Sequence, residues 1–258
     1  MENNRKMIPN KSAEWSSEQL KKILNFPVKA YRKENGFLAL ISYNWNTDDL
    51  LVCSKSTNDG DYVGYIRQQL EKKTEEELNK LKEYLKVSGT TLVFECVDIV
   101  NDPHIIKYEE SKMYLLDEVK NNFIFEKTSY DKLQQIAKYL NFECKSLAYT
   151  FNTWEELYAF KKQQDTSYDI RYEGWVFEDI KGFMVKYKTR YYKFWKMMRA
   201  VKENIIKGAA VKKTFTSEDE VRVYTLLREL GAEKLQQLSM IDIEEMYYGQ
   251  QNDKSRIN

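Results

Sequence analysis

The sequence has little of what marks several classes of protein. Only three of its 258 residues are proline and nine are glycine, which argues against a disordered or low-complexity chain. No stretch reaches the roughly 18 apolar residues that a transmembrane helix needs. The polar residues 1–11 lack the apolar core of a secretory signal. The sequence therefore predicts a cytoplasmic protein with no membrane segment.

Cysteine is scarce, and charge of one sign is not in excess. Cys53, Cys96 and Cys144 are widely spaced and odd in number, so they form neither a zinc-binding pattern nor a disulfide framework. We expect them to be buried, reduced thiols. The chain holds 41 Lys and Arg residues against 40 Asp and Glu residues, a net charge of +1. This balance does not exclude a nucleic-acid partner, because binding depends on where the cations lie.

The residues that are present predict an α+β protein. Helix starts are indicated by pairs with capping-box spacing, namely Ser16–Gln19, Thr74–Glu77, Thr153–Glu156 and Ser217–Glu220. Apolar residues at helical spacing indicate one more helix at 133–140. Short segments rich in β-branched, aromatic and other apolar residues predict strands at 37–43, 50–53, 92–97, 113–119, 174–177 and 183–187.

The order of these segments suggests how the chain is organised. Strands dominate the middle of the chain, and the pattern becomes helical after about Tyr192. This order predicts an α+β core, residues 1–199, followed by a small helical segment, residues 200–258. No internal repeat and no flexible linker divides the chain.

Two candidate sites lie around the first predicted hairpin. Residues 33–36 read Lys-Glu-Asn-Gly, which places a basic residue just before a glycine that opens an apolar strand. One interpretation is a simple turn before a hairpin, with Asn35 and Gly36 serving the bend; the other is a chemical role for Lys33. Lys55 follows the next strand, where a lysine is ordinarily just solvated.

Three further sites depend on the two-residue period of strands. Glu95 interrupts an apolar strand and should point away from the face of Phe94 and Cys96, into solvent or into a cleft. Glu173 precedes a glycine that enters another apolar strand. Lys186 and Lys188 share one strand face, where an anion such as phosphate would relieve their repulsion. An ordinary polar sheet face explains the two lysines equally well.

Taken in order, these sites resemble the nucleotidyltransferase motifs of ATP-dependent RNA ligases. Residues 33–36 look like motif I, K-x-(D/N)-G, and Phe94–Glu95 look like motif III. Residues 173–176 look like motif IV, E-G-(Y/F/W)-V, and residues 186–188 look like motif V, K-x-K. The closest resemblance is to the phage RNA ligase 1 type and the ligase domain of fungal tRNA ligases, whose S-K element Ser54–Lys55 fits. Residues 104–108 look like part of the motif IIIa region.

The resemblance implies a fold and an activity. The fold would be a nucleotidyltransferase (ATP-grasp-like ligase) core of antiparallel sheets with flanking helices. Lys33 would attack the α-phosphate of ATP and carry AMP, with Mg²⁺ or Mn²⁺ as the metal. AMP would pass to an RNA 5′-phosphate, which a 3′-hydroxyl then attacks, in RNA repair or tRNA processing. A lysine amine attacks only when it is neutral, and partial desolvation and neighbouring cations favour that form.

The resemblance also assigns roles to residues. Lys33, Lys186 and Lys188 would be catalytic, and Glu173 would help to hold the metal. The nucleotide would contact a larger set: Asn35, Gly36, Lys55, Glu95, Tyr108, Glu173, Lys186 and Lys188. Within that set, Glu95 would bind the ribose hydroxyls and Tyr108 would lie near the adenine.

Cations after motif V form a candidate RNA interface. They alternate with aromatic residues and comprise Arg190, Lys193, Lys196 and Arg199. On a helix, Lys196 and Arg199 would lie on one stripe, from which they could reach backbone phosphates. An ordinary charged helix face is the alternative.

One departure from the family leaves other functions open. Only 32 residues precede Lys33, and residues 6–10 match the family's lysine-containing K-F-F-N element only in part. One alternative is therefore a truncated, inactive ligase-like module that binds RNA. Another is an enzyme that adenylates an end without sealing it. A second polypeptide supplying the upstream segment is a candidate partner.

Overall fold

The structure is a computed structural model that describes residues 16–102, 104–123, 126–166 and 171–255. The predicted match to K-F-F-N at residues 6–10 lies outside them. The described helices are α1 Ser17–Ile23, α2 Asp61–Leu70, α3 Glu75–Ser88, α4 Tyr130–Tyr139, α5 Trp154–Thr166, α6 Arg190–Ile206, α7 Glu218–Gln237 and α8 Met240–Ser255. The described strands are β1 Val28–Lys33, β2 Phe37–Asn44, β3 Asp49–Ser54, β4 Thr90–Val97, β5 Lys112–Lys120, β6 Glu143–Cys144, β7 Leu147–Phe151, β8 Gly174–Asp179 and β9 Met184–Lys188.

The strands form two sheets. Sheet A has the order β7-β1-β8-β9 and is antiparallel throughout. Sheet B has the order β3-β2-β4-β5-β6 and is antiparallel except for the β5–β6 pair. This arrangement confirms the α+β class and the antiparallel core that the sequence predicts.

Each sheet buries one face against helices. In sheet B, the alternation of β4 turns Leu92, Phe94 and Cys96 into a core with α2, α3 and α4. In sheet A, Trp175 and Phe177 of β8 join a largely aromatic core with α1 and α5. The hydrophobic residues of these strands are thus buried by helices that lie on one side of each sheet.

The opposite faces of the two sheets border a cleft. Lys33 Nζ of sheet A lies 3.9 Å from Glu95 Oε1 of sheet B. Deeper in the cleft, Lys145 Nζ, just after β6, lies 3.6 Å from Glu178 Oε2 of β8 and 4.4 Å from the centre of the Tyr31 ring. Polar and charged side chains therefore occupy the region that the two hydrophobic cores leave between them.

Several local predictions are confirmed. The structure shows complete capping boxes at α1, α3 and α7, as their sequence spacing predicts. Residues 33–36 lead into a hairpin, as one interpretation predicts, because β2 pairs with β3. Lys33 itself ends β1, a strand that the sequence did not predict and that pairs with β7 and β8. The segment between β1 and β2 carries the chain from one sheet to the other. The cysteines are free, and only Cys96 is fully buried.

The last three helices form a module with its own core. Trp195 and Met198 of α6 pack with Leu227 of α7 and Ile243 of α8. Residue 199, the predicted end of the α+β core, lies within α6. The predicted division of the chain at that residue stays a prediction. Ile105 and Ile106, from the connection between β4 and β5, are buried in the same core. No helix in the described part of the chain is long and apolar enough to cross a membrane.

The stability of this module is expected to depend on pH through Glu244. Its side chain is 5% exposed, and Oε1 has no hydrogen-bond partner among the described residues, while Oε2 accepts from the Tyr191 hydroxyl. Burial raises the pKa of Glu244 from 4.5 to about 8. The folded protein therefore binds a proton that the unfolded chain has lost between these pH values. We expect the free energy of unfolding to fall as pH rises from about 4.5 to about 8, by on the order of 3–5 kcal/mol at most.

Urea unfolding of the wild type and of Glu244→Gln, at pH 5 and at pH 8.5, measures this effect. The amide still accepts from Tyr191 but does not titrate, so the pH difference should shrink in the variant. Glu245→Gln is the control, because Glu245 is the exposed neighbour on the same helix. An unchanged pH difference in Glu244→Gln would contradict the assignment.

Candidate active site

Lys33 lies at the end of β1, where its ammonium meets two carboxylates. Its Nζ is 3.1 Å from Glu173 Oε2 and 3.9 Å from Glu95 Oε1, and it donates to the Glu34 carbonyl oxygen at 3.2 Å. The Lys33 side chain is 21% exposed, so it is partly desolvated while still accessible from the cleft. The structure thus brings together the residues of predicted motifs I, III and IV.

Glu95 is held by the backbone of the segment that follows Lys33. It lies on the face of β4 opposite Phe94 and Cys96, as strand alternation predicts, and its Oε1 accepts from the Gly36 N–H at 3.0 Å. A Cβ atom on Gly36 would lie 2.2 Å from the Cys96 carbonyl oxygen, so only glycine allows this approach of β2 to β4. Burial raises the pKa of Glu95.

Glu173 is fixed at the junction of β8, β9 and α6. Its Oε1 lies 2.7 Å from Lys188 Nζ, so its carboxylate bridges Lys188 and Lys33. Its carbonyl oxygen accepts from the N–H of Thr189, the N-cap residue of α6, at 3.0 Å. A Cβ atom on Gly174 would lie 1.9 Å from the Tyr187 carbonyl oxygen, which explains the glycine of the predicted motif IV.

The other predicted lysines lie at different distances from this centre. Lys186 and Lys188 share the cleft face of β9, opposite Val176 and Gly174 of β8, as predicted. Lys186 is exposed. Lys55 is exposed one residue beyond β3, two strands from Glu95, which corresponds to roughly 10 Å at the usual strand spacing. Its predicted contact with phosphate stays a prediction.

Sequence reasoning missed a buried network beside Lys33. Glu34 is 6% exposed, its Oε1 lies 3.1 Å from Arg32 Nε, and its Oε2 accepts from the Tyr108 hydroxyl at 3.0 Å. The same hydroxyl accepts from the Asn35 N–H at 2.7 Å. The Arg32 guanidinium lies over the Tyr172 ring at 4.1 Å. Burial raises the pKa of Glu34, against the opposing effect of Arg32.

The structure therefore gives Asn35 and Tyr108 contacts that the sequence did not predict. Asn35 Oδ1 accepts from the Ile105 N–H at 3.3 Å, and its backbone N–H is held by Tyr108. Both residues tie the motif I segment to residues 104–108. Their predicted contacts with the nucleotide stay predictions.

Tyr192 is a further neighbour that the motif analysis did not single out. Lys188 Nζ lies 4.3 Å from the centre of its ring, and the tyrosine is 5% exposed. Burial raises the pKa of Tyr192 to about 12. The only sequence signal was its position shortly after Lys188, in the first turn of a helix that Thr189 caps.

The predicted RNA-binding cations divide between two sides of α6. Lys188, burial and Arg199 lower the pKa of Lys196, so these three cations share one region next to the cleft. Lys193 instead lies 5.7 Å from the centre of the Tyr187 ring, whose side chain packs in the core on the other side of sheet A. Arg190 and Lys193 are exposed. Of the four predicted cations, Lys196 and Arg199 therefore lie on the cleft side of α6.

The residues of the cleft fit a nucleotide that carries a magnesium ion. Glu173 and Glu95 both lie next to the Lys33 ammonium, and Lys188 adds a second positive charge beside Glu173. Mg²⁺ commonly binds to one or two carboxylates and to substrate phosphates. Within the described residues, no group of three or more His, Cys, Asp or Glu side chains could hold a metal alone. A metal that binds together with the nucleotide is consistent with both observations.

Comparisons with known proteins show the family of the chain. Residues 9–192 match a family model described as RNA ligase, of the T4 type 1 class. A comparison with curated protein sequences gives no match.

Solved structures of ligases share the fold. An archaeal ATP-dependent RNA ligase has a TM-score of 0.58 at 11% identity, over 92% of this chain and 65% of that chain. A putative ATP-dependent DNA ligase from Aquifex aeolicus has a TM-score of 0.56 at 15% identity, over 90% and 61%. The Naegleria gruberi RNA ligase has a TM-score of 0.51 at 17% identity, over 68% and 53%. The matches thus span less than two thirds of each of these structures. Because the family model matches more than half of the chain, the protein belongs to the RNA ligase family.

Proposed function

We propose that the protein is an ATP-dependent RNA ligase that joins a 5′-phosphate to a 3′-hydroxyl through a lysyl-AMP on Lys33. The observation that supports this most directly is the convergence of the motif residues. Lys33, Glu95, Glu173 and Lys188 come from three strands and the start of a fourth, yet their charged atoms lie within 4 Å of a neighbour in the set. ATP, as the AMP donor, and Mg²⁺ or Mn²⁺ are the proposed cofactors.

In the first step, Lys33 Nζ attacks the α-phosphorus of ATP. A P–N bond forms, the bond to pyrophosphate breaks, and the amine proton leaves to solvent. Lys188 and Lys186, which share one face of β9, would offset the charge that develops on the α-phosphate oxygens. Glu95, fixed by the Gly36 N–H, accepts from the ribose hydroxyls.

In the next step, an oxygen of an RNA 5′-phosphate attacks the phosphorus of lysyl-AMP, the P–N bond breaks, and the Lys33 nitrogen takes up a proton to become the free amine again. A 3′-hydroxyl then attacks that activated phosphate, so a phosphodiester bond forms and AMP leaves. Lys196 and Arg199 lie beside the cleft and contact the phosphates of the RNA strand. The proposed substrate is an RNA with a 5′-phosphate end and a 3′-hydroxyl end, and tRNA is one candidate.

A divalent metal would be held by Glu173 together with phosphate oxygens of ATP. When bound, it neutralises phosphate charge and polarises the phosphoryl group. A structure of the Naegleria gruberi RNA ligase variant, TM-score 0.51, contains ATP and Mn. That neighbour supports the proposal that Mn²⁺ can replace Mg²⁺ here.

Incubation with α-labelled ATP and magnesium, followed by denaturing electrophoresis, tests the first step. A labelled 30.9 kDa band that loses its label on addition of pyrophosphate is the expected result. No label on the folded protein would contradict the proposal. It would favour the alternative function, an inactive ligase-like module that binds RNA.

Sealing is tested separately with a 5′-phosphorylated RNA that has a 3′-hydroxyl. Formation of joined RNA supports a ligase. Accumulation of adenylated RNA without joining would instead identify the alternative function, an adenylyltransferase that does not seal.

RNA affinity is expected to depend on the cleft side of α6. Lys196→Ala and Arg199→Ala should each weaken binding several-fold and reduce the slope of log affinity against log salt concentration by roughly 0.7. Affinity measurements at several salt concentrations show this effect, with Lys234→Ala, an exposed lysine on α7, as the control. A loss confined to Lys193→Ala would place the RNA on the other side of α6.

A further inference from the structure

The segment 104–108 connects the C-terminal helices to the active-site lysine. Ile105 and Ile106 are 0% and 3% exposed in the core of the C-terminal module, so this segment cannot shift without disturbing that core. Two residues further along, Tyr108 packs on the same core and turns its hydroxyl toward motif I.

The Tyr108 hydroxyl uses both its donor and its acceptor capacity on the motif I segment. It donates to Glu34 Oε2 at 3.0 Å and accepts from the Asn35 N–H at 2.7 Å. Glu34 and Asn35 are 6% and 9% exposed, so water cannot readily replace either contact. Loss of the hydroxyl would leave a buried N–H and a buried carboxylate oxygen without this partner.

The segment that Tyr108 contacts, Glu34 and Asn35, also sets the position of Lys33 Nζ. The Lys33 ammonium donates to the carbonyl oxygen of Glu34, the residue whose carboxylate Tyr108 binds. The next residues are Asn35 and Gly36, and the Gly36 N–H fixes Glu95. A displacement of this segment therefore moves the nucleophile and Glu95 together.

We propose that Tyr108 is a positioning residue, through which the C-terminal helices fix the motif I segment and the amine of Lys33 in the cleft. This inference rests on the proposed function for its catalytic consequence. The contribution comes from the hydroxyl group, whereas a role near the adenine would come from the ring.

Tyr108→Phe separates the hydroxyl from the ring. At saturating ATP, the single-turnover rate of AMP labelling should fall at least about 10-fold, while the ATP concentration for half-maximal rate stays within about two-fold. The final amount of label should remain that of the wild type, because a population of unfolded molecules would lower the amount rather than the rate. Tyr84→Phe is the matched control, since Tyr84 also donates to a buried glutamate, Glu118, on the helix-covered side of sheet B.

Hydrogen exchange of the amides of residues 33–36 gives a readout that does not need activity. Exchange at Asn35 should be at least about 10-fold faster in Tyr108→Phe than in the wild type, and unchanged in Tyr84→Phe. If the wild type takes no label, the proposed function fails, and this measurement still decides whether Tyr108 holds the segment. The inference is overturned if the Asn35 amide of Tyr108→Phe exchanges at the wild-type rate. It is also overturned if the wild type is active and Tyr108→Phe is labelled at the same rate. If the ATP concentration for half-maximal rate rises while the rate at saturating ATP stays unchanged, the inference is also overturned, and the hydroxyl is assigned to nucleotide binding.

Discussion

Lys33→Ala is expected to take up no AMP label at any ATP concentration. Alanine has no amine to form the P–N bond, and neither Lys186 nor Lys188 occupies the position of Lys33 at the end of β1. Lys188 Nζ lies 2.7 Å from Glu173, and Lys186 lies further along the exposed part of β9. The loss should be complete within the detection limit, which corresponds to more than about 1000-fold in rate.

The fold of Lys33→Ala should remain intact. Glu173 keeps its contact with Lys188, and Glu95 keeps the hydrogen bond from Gly36. We therefore expect a change in melting temperature of no more than about 3 °C. Lys29→Ala is the control, because Lys29 lies on the same face of β1, about 13 Å away at the usual rise per strand residue. Retained label on Lys33→Ala would show that another residue carries AMP.

Short-range patterns explain why the motif residues could be predicted. The position of Glu95 on the face opposite Phe94 follows from the two-residue period of one strand, and so does the pairing of Lys186 and Lys188 on one face. The helix starts followed from side chains that cap the helix within three residues. Each of these features is determined by neighbours along the chain.

Two elements near the site gave no such signal. β1 reads Val-Lys-Ala-Tyr-Arg-Lys, in which three cations and a small alanine conceal a strand that is nevertheless central in sheet A. α2 begins after Gly60, which makes no side-chain capping hydrogen bond. Because β1 was missed, Lys33 was placed in a turn rather than at a strand end.

The network around Glu34 depends on contacts between distant segments. Tyr108 and Glu34 are 74 residues apart, and the backbone of Asn35 meets Tyr108 across a similar interval. No periodicity within one element indicates such a contact. The division of the α6 cations has the same cause, because the packing of α6 against α7, α8 and residues 105–106 decides which side of the helix is left exposed.

Glu173→Gln is expected to reduce the rate of AMP labelling by at least about 100-fold. The carboxylate is 3% exposed and accepts from both Lys33 Nζ, at 3.1 Å, and Lys188 Nζ, at 2.7 Å. An amide keeps one oxygen acceptor but has no charge, so two ammonium groups would face each other without neutralisation and would move apart. The amide is also a poor ligand for a divalent cation, which favours carboxylate oxygens.

Glu118→Gln separates this effect from general destabilisation. Glu118 is equally buried, with 3% of its side chain exposed, and lies 3.2 Å from Lys132 Nζ, on the side of sheet B that faces away from the cleft. Both variants should lower the melting temperature, because each removes a buried charge from an ion pair. Only Glu173→Gln should slow labelling at saturating ATP and magnesium. A higher magnesium concentration should restore little of the rate, because it does not return the displaced Lys33 amine to its position for attack on the α-phosphorus. Equal rates in Glu173→Gln and Glu118→Gln would mean that the carboxylate between the two lysines stabilises the fold without taking part in the reaction.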